Sequence, residues 1–458
     1  MQLCNITRSF LGKIIEIPTN KQKNTSKLHI QGRFFNFEIL QNFFPMVRLL
    51  LCFLILCISC TTEVFPKVGY QQKILLGIDV LVRDDFKILY GKRVGLLTNS
   101  ASRSSSKKMT VEYFVNNPKF TLNAIFTPEH GFFTTVPAGK YVPDDSLYGV
   151  PIFSLYGNNR KPTPYQMSLV DIVVVDLQDI GVRSYTFIST LYKVMEACAD
   201  ANIPLVILDR PNPLGGNLVD GNVLEPQWAS FVGIVPIPYL HGCTIGEIAF
   251  MINEEGWLKS NGVTKKCDLT IVKMENWKRQ MNWEDTNLEW FQTSPNIKSV
   301  DAIRGIAMFG VLGELGLFNL GVGTDLPFQV FSIRNVNVKK LEKLVSELKF
   351  DGVAFINKEK QKHLEKEHNT FLIKFAKNKE CKYYTFGMTL LFEIRKAFPH
   401  LFSYERLKSR RIEMFKKVTG TSVLFDSLIQ GDETEYFNYL NKGLDEFLKL
   451  RSKYLLYK

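Results

Sequence analysis

Four short apolar runs, Val94–Leu97, Leu122–Phe126, Ile172–Val175 and Leu205–Leu208, each break off into a cluster of polar residues. The first runs into Thr98-Asn99 and the second into Thr127-Pro128-Glu129-His130-Gly131. The third runs into Asp176-Leu177-Gln178-Asp179 and the fourth into Asp209-Arg210-Pro211-Asn212-Pro213. Such runs read as buried strands. Between them the amphipathic stretch Lys108–Asn116 and the segment Tyr185–Ala201, with Leu191, Val194, Met195 and Cys198 at helical spacing, predict helices. Thr244 with Glu247 three residues on fits a capping box opening a helix Glu247–Trp257. The order strand, helix, strand predicts an α/β fold, a doubly wound parallel sheet with right-handed crossovers. The carboxyl ends of parallel strands line a crevice where ligands bind, so the four polar clusters read as one site.

From about Leu269 the pattern changes. A strand, Leu269–Lys273, leads to Trp277, Trp283 and Trp290 and then to Ser294-Pro295-Asn296. Gly310–Gly323 is punctuated by glycines, Lys339–Leu348 and Phe386–Phe398 read as helices, and a basic, aromatic tail runs to Lys458. This predicts a first domain over residues 74–266 and a smaller α/β domain over 267–458, whose first part packs over the strand ends.

The amino terminus needs separate treatment. Met46-Val47-Arg48 precedes the apolar run Leu49–Ile58 and then Ser59-Cys60. A charged start, a short apolar core and a small residue form an export signal over 46–59, too short for the ~20 residues of a membrane span. Cys60 after Ser59 resembles a bacterial lipoprotein box in which that cysteine is lipidated, although Cys57 stands where an aliphatic residue is usual. A simple secretory signal cut nearby is the alternative. Residues 60–73 then form a tether, and residues 1–45, which lack hydrophobic periodicity, read as an upstream extension of a chain starting at Met46. Without residues 1–59, which carry seven Lys/Arg and two Asp/Glu, the formal charge falls from +12 to +7.

That excess suits an anionic polymer, but no basic stripe with interleaved aromatics marks a nucleic-acid partner. Cys198, Cys243, Cys267 and Cys381 are scattered and read as buried free thiols rather than a disulfide framework. Without metal-ligand spacing of Cys and His, and without GxGxxG between a strand and a helix, neither a metal nor a cofactor is expected.

Six ordered motifs identify a resemblance. They are Thr127-Pro128-Glu129-His130-Gly131-Phe132, Ser154-Leu155-Tyr156-Gly157, the run from Asp176 through Gln178, Asp179, Arg183 and Tyr185 to Thr186, Asp209 to Gly216, His241-Gly242-Cys243-Thr244-Ile245-Gly246-Glu247 and Ser294-Pro295-Asn296. Over about residues 74–400 the chain resembles the NamZ family. The resemblance implies a Rossmann-like catalytic domain, a smaller second domain and a site in the cleft between them. It also implies an exo-acting β-N-acetylmuramidase that removes N-acetylmuramic acid from non-reducing ends of peptidoglycan chains.

Glycosidic cleavage needs a carboxylic acid near the leaving oxygen and a second group that supplies or activates a nucleophile. Glu129 is the expected acid: it follows a strand directly, in a loop fixed by Pro128 and Gly131. Capping or pairing with His130 is its structural alternative. For the second group Asp179, Glu247 and Glu314 are candidates. Asp179 can also serve by orienting the substrate's own acetamido group, and Glu247 can equally be a helix cap. Asn99, Gln178 and Asp209 are candidates for sugar hydroxyls, and Tyr185 for stacking on a sugar face. Arg183 and Arg210 are candidates for the lactyl carboxylate, through the two-point fork of a guanidinium. Internal bridges, Arg210 to Asp209 or Arg183 to Asp179, are the alternatives. His130 and His241 can orient groups or move a proton, or be structural.

Two departures from the family's second-domain signature stand out: Leu320 replaces an expected acid and Val322 an expected arginine. Phe133-Thr134 also replaces the usual Arg-Gly. Lost charges in the cleft wall keep open a glycan-binding homologue without catalysis. A cell-wall esterase or amidase is the other rival, but no GxSxG elbow frames Ser100 or Ser184.

Overall fold

The first sheet is built around central strands whose residues are buried on both sides. The computed structural model describes residues 72–357, 370–377, 379 and 381–458. The expected signal segment and Cys60 lie outside the described residues. Strands β1 (Arg93–Leu97), β2 (Thr121–Thr127), β3 (Asp145–Leu147), β4 (Val150–Ser154), β5 (Ile172–Val175) and β6 (Leu205–Leu208) follow in chain order. Two short pairs come next, β7 (Asp220–Val223) with β8 (Pro238–Leu240) and β9 (Lys259–Ser260) with β10 (Val263–Thr264), before β11 (Leu269–Val272). The seven-stranded sheet has the order β11-β6-β5-β1-β2-β4-β3. All its neighbours are parallel except β3, which runs antiparallel to β4 at the edge. Alternate side chains feed two cores: Val173, Val175, Leu205 and Ile207 enter one, while Ile172, Val174, Val206 and Leu208 enter the other. That two-sided burial explains why these strands are unbroken apolar runs.

The chain builds outward from β1 through β2 to β4, then returns to β5 and builds the other way through β6 to β11. The loops after β1 and β5 therefore part company at one point, the place where open α/β sheets bind ligands. One expectation needs correction. Leu269–Val272, read as the opening of the second domain, pairs with β6 and forms the edge of the first sheet. The aromatic segment behind it does lie over the strand ends, where Trp283, Trp290 and Phe291 line a small cavity with Ala101, Gln178 and Arg210.

Helices α1 (Gly77–Arg83), α2 (Thr110–Phe114), α3 (Pro164–Ser168), α4 (Phe187–Ala201) and α5 (Ile245–Glu254) belong to the first part. The second part holds α6 (Val300–Glu314), α7 (Val338–Glu347) and α8 (Tyr383–Ala397). With them is an antiparallel sheet, ordered β12 (Phe318–Asn319), β13 (Val330–Ile333), β15 (Phe371–Phe375) and β14 (Val353–Asn357). Helices α9 (Ser409–Thr419), α10 (Val423–Gln430), α11 (Glu433–Tyr439) and α12 (Leu444–Arg451) follow. Helix α6 runs straight through Gly305, Gly310 and Gly313. These glycines allow close approach: a Cβ on Gly305 would lie 2.0 Å from the Phe328 carbonyl oxygen. Phe309, Phe331 and Phe386 join Val175 and Tyr239 in a single core cluster, so both parts share one interior. The tail turns back as well, and Tyr457 enters the other core with its ring edge-on to Trp277 at 5.1 Å.

Candidate active site

The end of β2 delivers Glu129 through a turn in which both His130 (φ 76°) and Gly131 (φ 72°) have left-handed backbone. A histidine in that region is uncommon, and such strain concentrates at functional sites. Glu129 is 6% exposed. Its Oε1 accepts the Gly139 main-chain N–H at 2.8 Å, and its Oε2 accepts the Thr186 hydroxyl at 2.6 Å. The Tyr156 hydroxyl is its third neighbour; burial, then the Glu129 charge and hydrogen bonding to it, hold that phenol strongly protonated. The His130 ring donates from Nδ1 to the Val136 carbonyl at 2.8 Å, leaving Nε2 as the acceptor. Burial pushes the His130 pKa below its ordinary value, so the ring is neutral.

The end of β5 delivers Asp179. Its Oδ2 accepts the Gly181 N–H at 2.7 Å and lies 3.4 Å from His241 Nε2. His241 Nδ1 accepts the Cys243 N–H at 3.2 Å, which places the ring proton on Nε2, facing the carboxylate. Asp179 Oδ1 and His241 Nε2 are both buried without a hydrogen-bond partner. Unsatisfied buried polar atoms are rare, and Oδ1 is the carboxylate oxygen that neither Gly181 nor His241 faces. Tyr185 feels both acids: burial raises its pKa first, and the charges of Asp179 and Glu129 both add to the shift. Its hydroxyl donates to Thr293 Oγ1 at 2.9 Å, and its ring stacks on His130 at 6.5 Å. Thus His130, Glu129, Asp179 and Ser294 all act on Tyr185, and His241 joins the group through Asp179.

Several expected residues are turned inward instead. Tyr185 is packed against Phe187 at 4.5 Å and is no sugar platform. Arg183 is 2% exposed and meets no carboxylate. It donates to four carbonyl oxygens, of Asn222 (2.8 Å), Ile237 (2.7 Å), Val418 (3.1 Å) and Thr419 (2.7 Å). Burial lowers its pKa to about 10. Neither the lactyl role nor a bridge to Asp179 fits it. Arg210 forks onto Asp176, not Asp209, and both are buried. Asp209 is enclosed, accepting main-chain N–H groups from Arg210 and Gly246 and hydroxyls from Thr244 and Tyr457. Glu247 completes the capping box with Thr244 and pairs with Arg279 at 2.6 Å, so its role is structural.

Gln178 donates to the carbonyls of Asp179 and Pro211 and lines the small cavity under the tryptophans. Asn99 accepts from Ala101 while its Nδ2 is buried without a partner. Glu314 ends α6 half-buried, its pKa raised by desolvation, and its charge reaches Tyr239, whose hydroxyl lies 3.3 Å from Ser184 Oγ. Leu320 is in the core, whereas Val322 is 57% exposed in a turn tied to Asn296 through the Gly323 N–H at 2.9 Å. Sequence reading assigned no role to Thr186, Tyr156 or Gly139. The first two lie in quoted motifs, but nothing in the sequence announces that they converge on Glu129.

A doubly wound sheet with buried acids at the ends of the strands flanking β1 defines a Rossmann-like α/β protein with a polar cleft above its switch point. The chain belongs to the NamZ family. Residues 94–301 match the family model described as "Exo-beta-N-acetylmuramidase NamZ, N-terminal" and residues 307–457 the corresponding C-terminal model. The chain is 36% identical over 394 residues to the peptidoglycan beta-N-acetylmuramidase NamZ of Bacillus subtilis (strain 168), covering 84% of this chain and 92% of that protein. Among solved structures it is similar to a DUF1343 family protein of Bacteroides fragilis, at 36% identity and a TM-score of 0.76, covering 84% of this chain and 99% of that one. A second DUF1343 protein of the same organism is 28% identical, with a TM-score of 0.63 and the same coverage.

Proposed function

We propose that this chain is an exo-acting glycoside hydrolase that releases β-1,4-linked N-acetylmuramic acid from the non-reducing ends of peptidoglycan fragments. The observation that carries this reading is Glu129, held on both oxygens at the end of β2, with Asp179 near enough that both charges act on Tyr185. Glu129 delivers a proton to the leaving oxygen, and Thr186, Gly139 and Tyr156 stabilise the carboxylate left behind. Asp179 is the second group, fixed by Gly181 and His241, with one oxygen still unbonded. It either polarises a water or orients the 2-acetamido group for attack on the anomeric carbon. A thiazoline mimic of the cyclised sugar separates these, since it inhibits only in the second case.

Glu129→Gln keeps the shape and loses the proton. We expect folded protein with a ~10²–10⁴-fold lower kcat on a β-N-acetylmuramide with a poor leaving group. Wild-type turnover in that variant removes Glu129 from the chemistry.

The proposal extends to location. Met46–Ser59 reads as an export signal and Cys60 as the lipidated first residue of a tethered protein, which places the enzyme beside its polymer. A chain begun at Met46 is expected to partition with membranes and to carry acyl mass at Cys60, and Cys60→Ala to lose both. An unmodified amino terminus downstream of Cys60 means simple secretion.

A further inference from the structure

With Arg183 and Arg210 committed to internal partners, the candidate acidic sugar still needs a cation to read its carboxylate. After β4 the chain passes through Tyr156 and turns back, bringing Arg160 onto two aromatic faces. Its guanidinium carbon lies 4.4 Å from the centroid of Phe231 and 5.6 Å from that of Tyr156, and the two rings are 5.9 Å apart. The adjacent cation is committed: Lys161 pairs with Glu196 and Asp200. Among the described residues no carboxylate pairs with Arg160, and its side chain is exposed. A guanidinium lying on an aromatic face keeps its in-plane N–H edge free, which is the geometry that grips a carboxylate at two points. One of the two rings belongs to Tyr156, the same residue whose hydroxyl adjoins Glu129. A free, pre-oriented cation therefore stands one tyrosine ring away from the candidate acid.

We propose that Arg160 is the specificity-determining residue of this site, binding the lactyl carboxylate that distinguishes N-acetylmuramic acid from N-acetylglucosamine. The inference rests on the glycosidase reading. Phe231 and Tyr156 hold the guanidinium in place, so little side-chain freedom is lost when the substrate docks. The acid group is then held on the same side of the cleft as the proton donor.

The test compares wild type, Arg160→Lys and Arg160→Met on three chromogenic substrates: the β-N-acetylmuramide, its lactyl methyl ester and the β-N-acetylglucosaminide. Arg160→Met is expected to lower kcat/KM on the muramide by roughly ten- to a hundredfold and to leave the other two nearly unchanged. Esterifying the substrate should cost wild type about the same factor and cost the Met variant nothing further. Arg160→Lys should fall between, keeping the charge without the fork. Equal losses on all three substrates, or acid-over-ester preference surviving in Arg160→Met, overturn the assignment. If wild type turns over none of them, the glycosidase reading has failed, and binding decides Arg160 separately. Calorimetry with free N-acetylmuramic acid and N-acetylglucosamine then supports Arg160 if wild type prefers the acidic sugar and the Met variant does not. It overturns Arg160 if the preference is absent or unchanged.

Discussion

A buried guanidinium with four carbonyl partners, such as Arg183, organises backbone rather than a ligand. Two of its acceptors are Val418 and Thr419, in the last turn of α9, where unpaired carbonyls and the helix dipole both favour a cation. Arg183→Met leaves those carbonyls without donors, and hydrogen bonds to charged groups contribute about 1.5–3 kcal/mol each. We expect a lower melting temperature and equal losses on muramide and glucosaminide, with little rescue by Arg183→Lys, because an ammonium cannot span four acceptors. Loss confined to the muramide would return Arg183 to the substrate. The sequence placed Arg183 in a motif beside acids, which made an acidic partner the natural guess. Main-chain carbonyls more than two hundred positions away carry no signature in side-chain pattern. Glu129 was legible for the opposite reason, since a strand end, a proline and a glycine around one acid are all local features.

At the scale of elements, strands buried on both faces were the easiest to read, and Ile172–Val175 and Leu205–Leu208 have the bounds their apolar runs imply. Edge strand β11 was legible as a strand, but its membership of the first sheet was not, because it is only partly buried and follows the small β9–β10 pair. Helix α6 was hidden by its glycines, which cost about 1 kcal/mol each in a helix yet permit the contact with Phe328. The joint between β6 and α5 carries a prediction. Asp209 links them through Arg210, Gly246 and Thr244, and burial raises its pKa from 3.8 to about 6. As pH rises the unfolded chain ionises first. The stability that the protonated acid contributes is whole below pH ~4 and is lost as pH climbs through about 6. An amide can keep all four bonds if the Thr244 and Tyr457 hydroxyls turn to accept. Urea melts should therefore show Asp209→Asn gaining on wild type between pH 4 and 7, by up to about 3 kcal/mol. A difference that does not change with pH would show that Asp209 is charged throughout.

At the scale of the molecule, one core runs through both parts, so their relative placement is fixed by packing rather than by a hinge. Nothing in the residue pattern signals this, because a shared interior looks like two ordinary ones when read along the chain. The tail adds a second tie: Tyr457 donates to Asp209 at 2.6 Å and accepts from the Met274 N–H at 3.0 Å, and the Leu456 N–H reaches Glu247 at 2.9 Å. Tyr457→Phe is expected to destabilise by about 1.5–3 kcal/mol, with a smaller cost when Asp209 is already Ala, since the two share one bond. Additive effects in denaturant melts would show that the contact carries no energy. Tyr457 lies 248 positions beyond Asp209. During synthesis the amino-terminal sheet leaves the ribosome long before its last clasp exists, and Asp209 has three of its four partners until then. The last few residues therefore supply a bond to the first sheet that no earlier stage of synthesis can make.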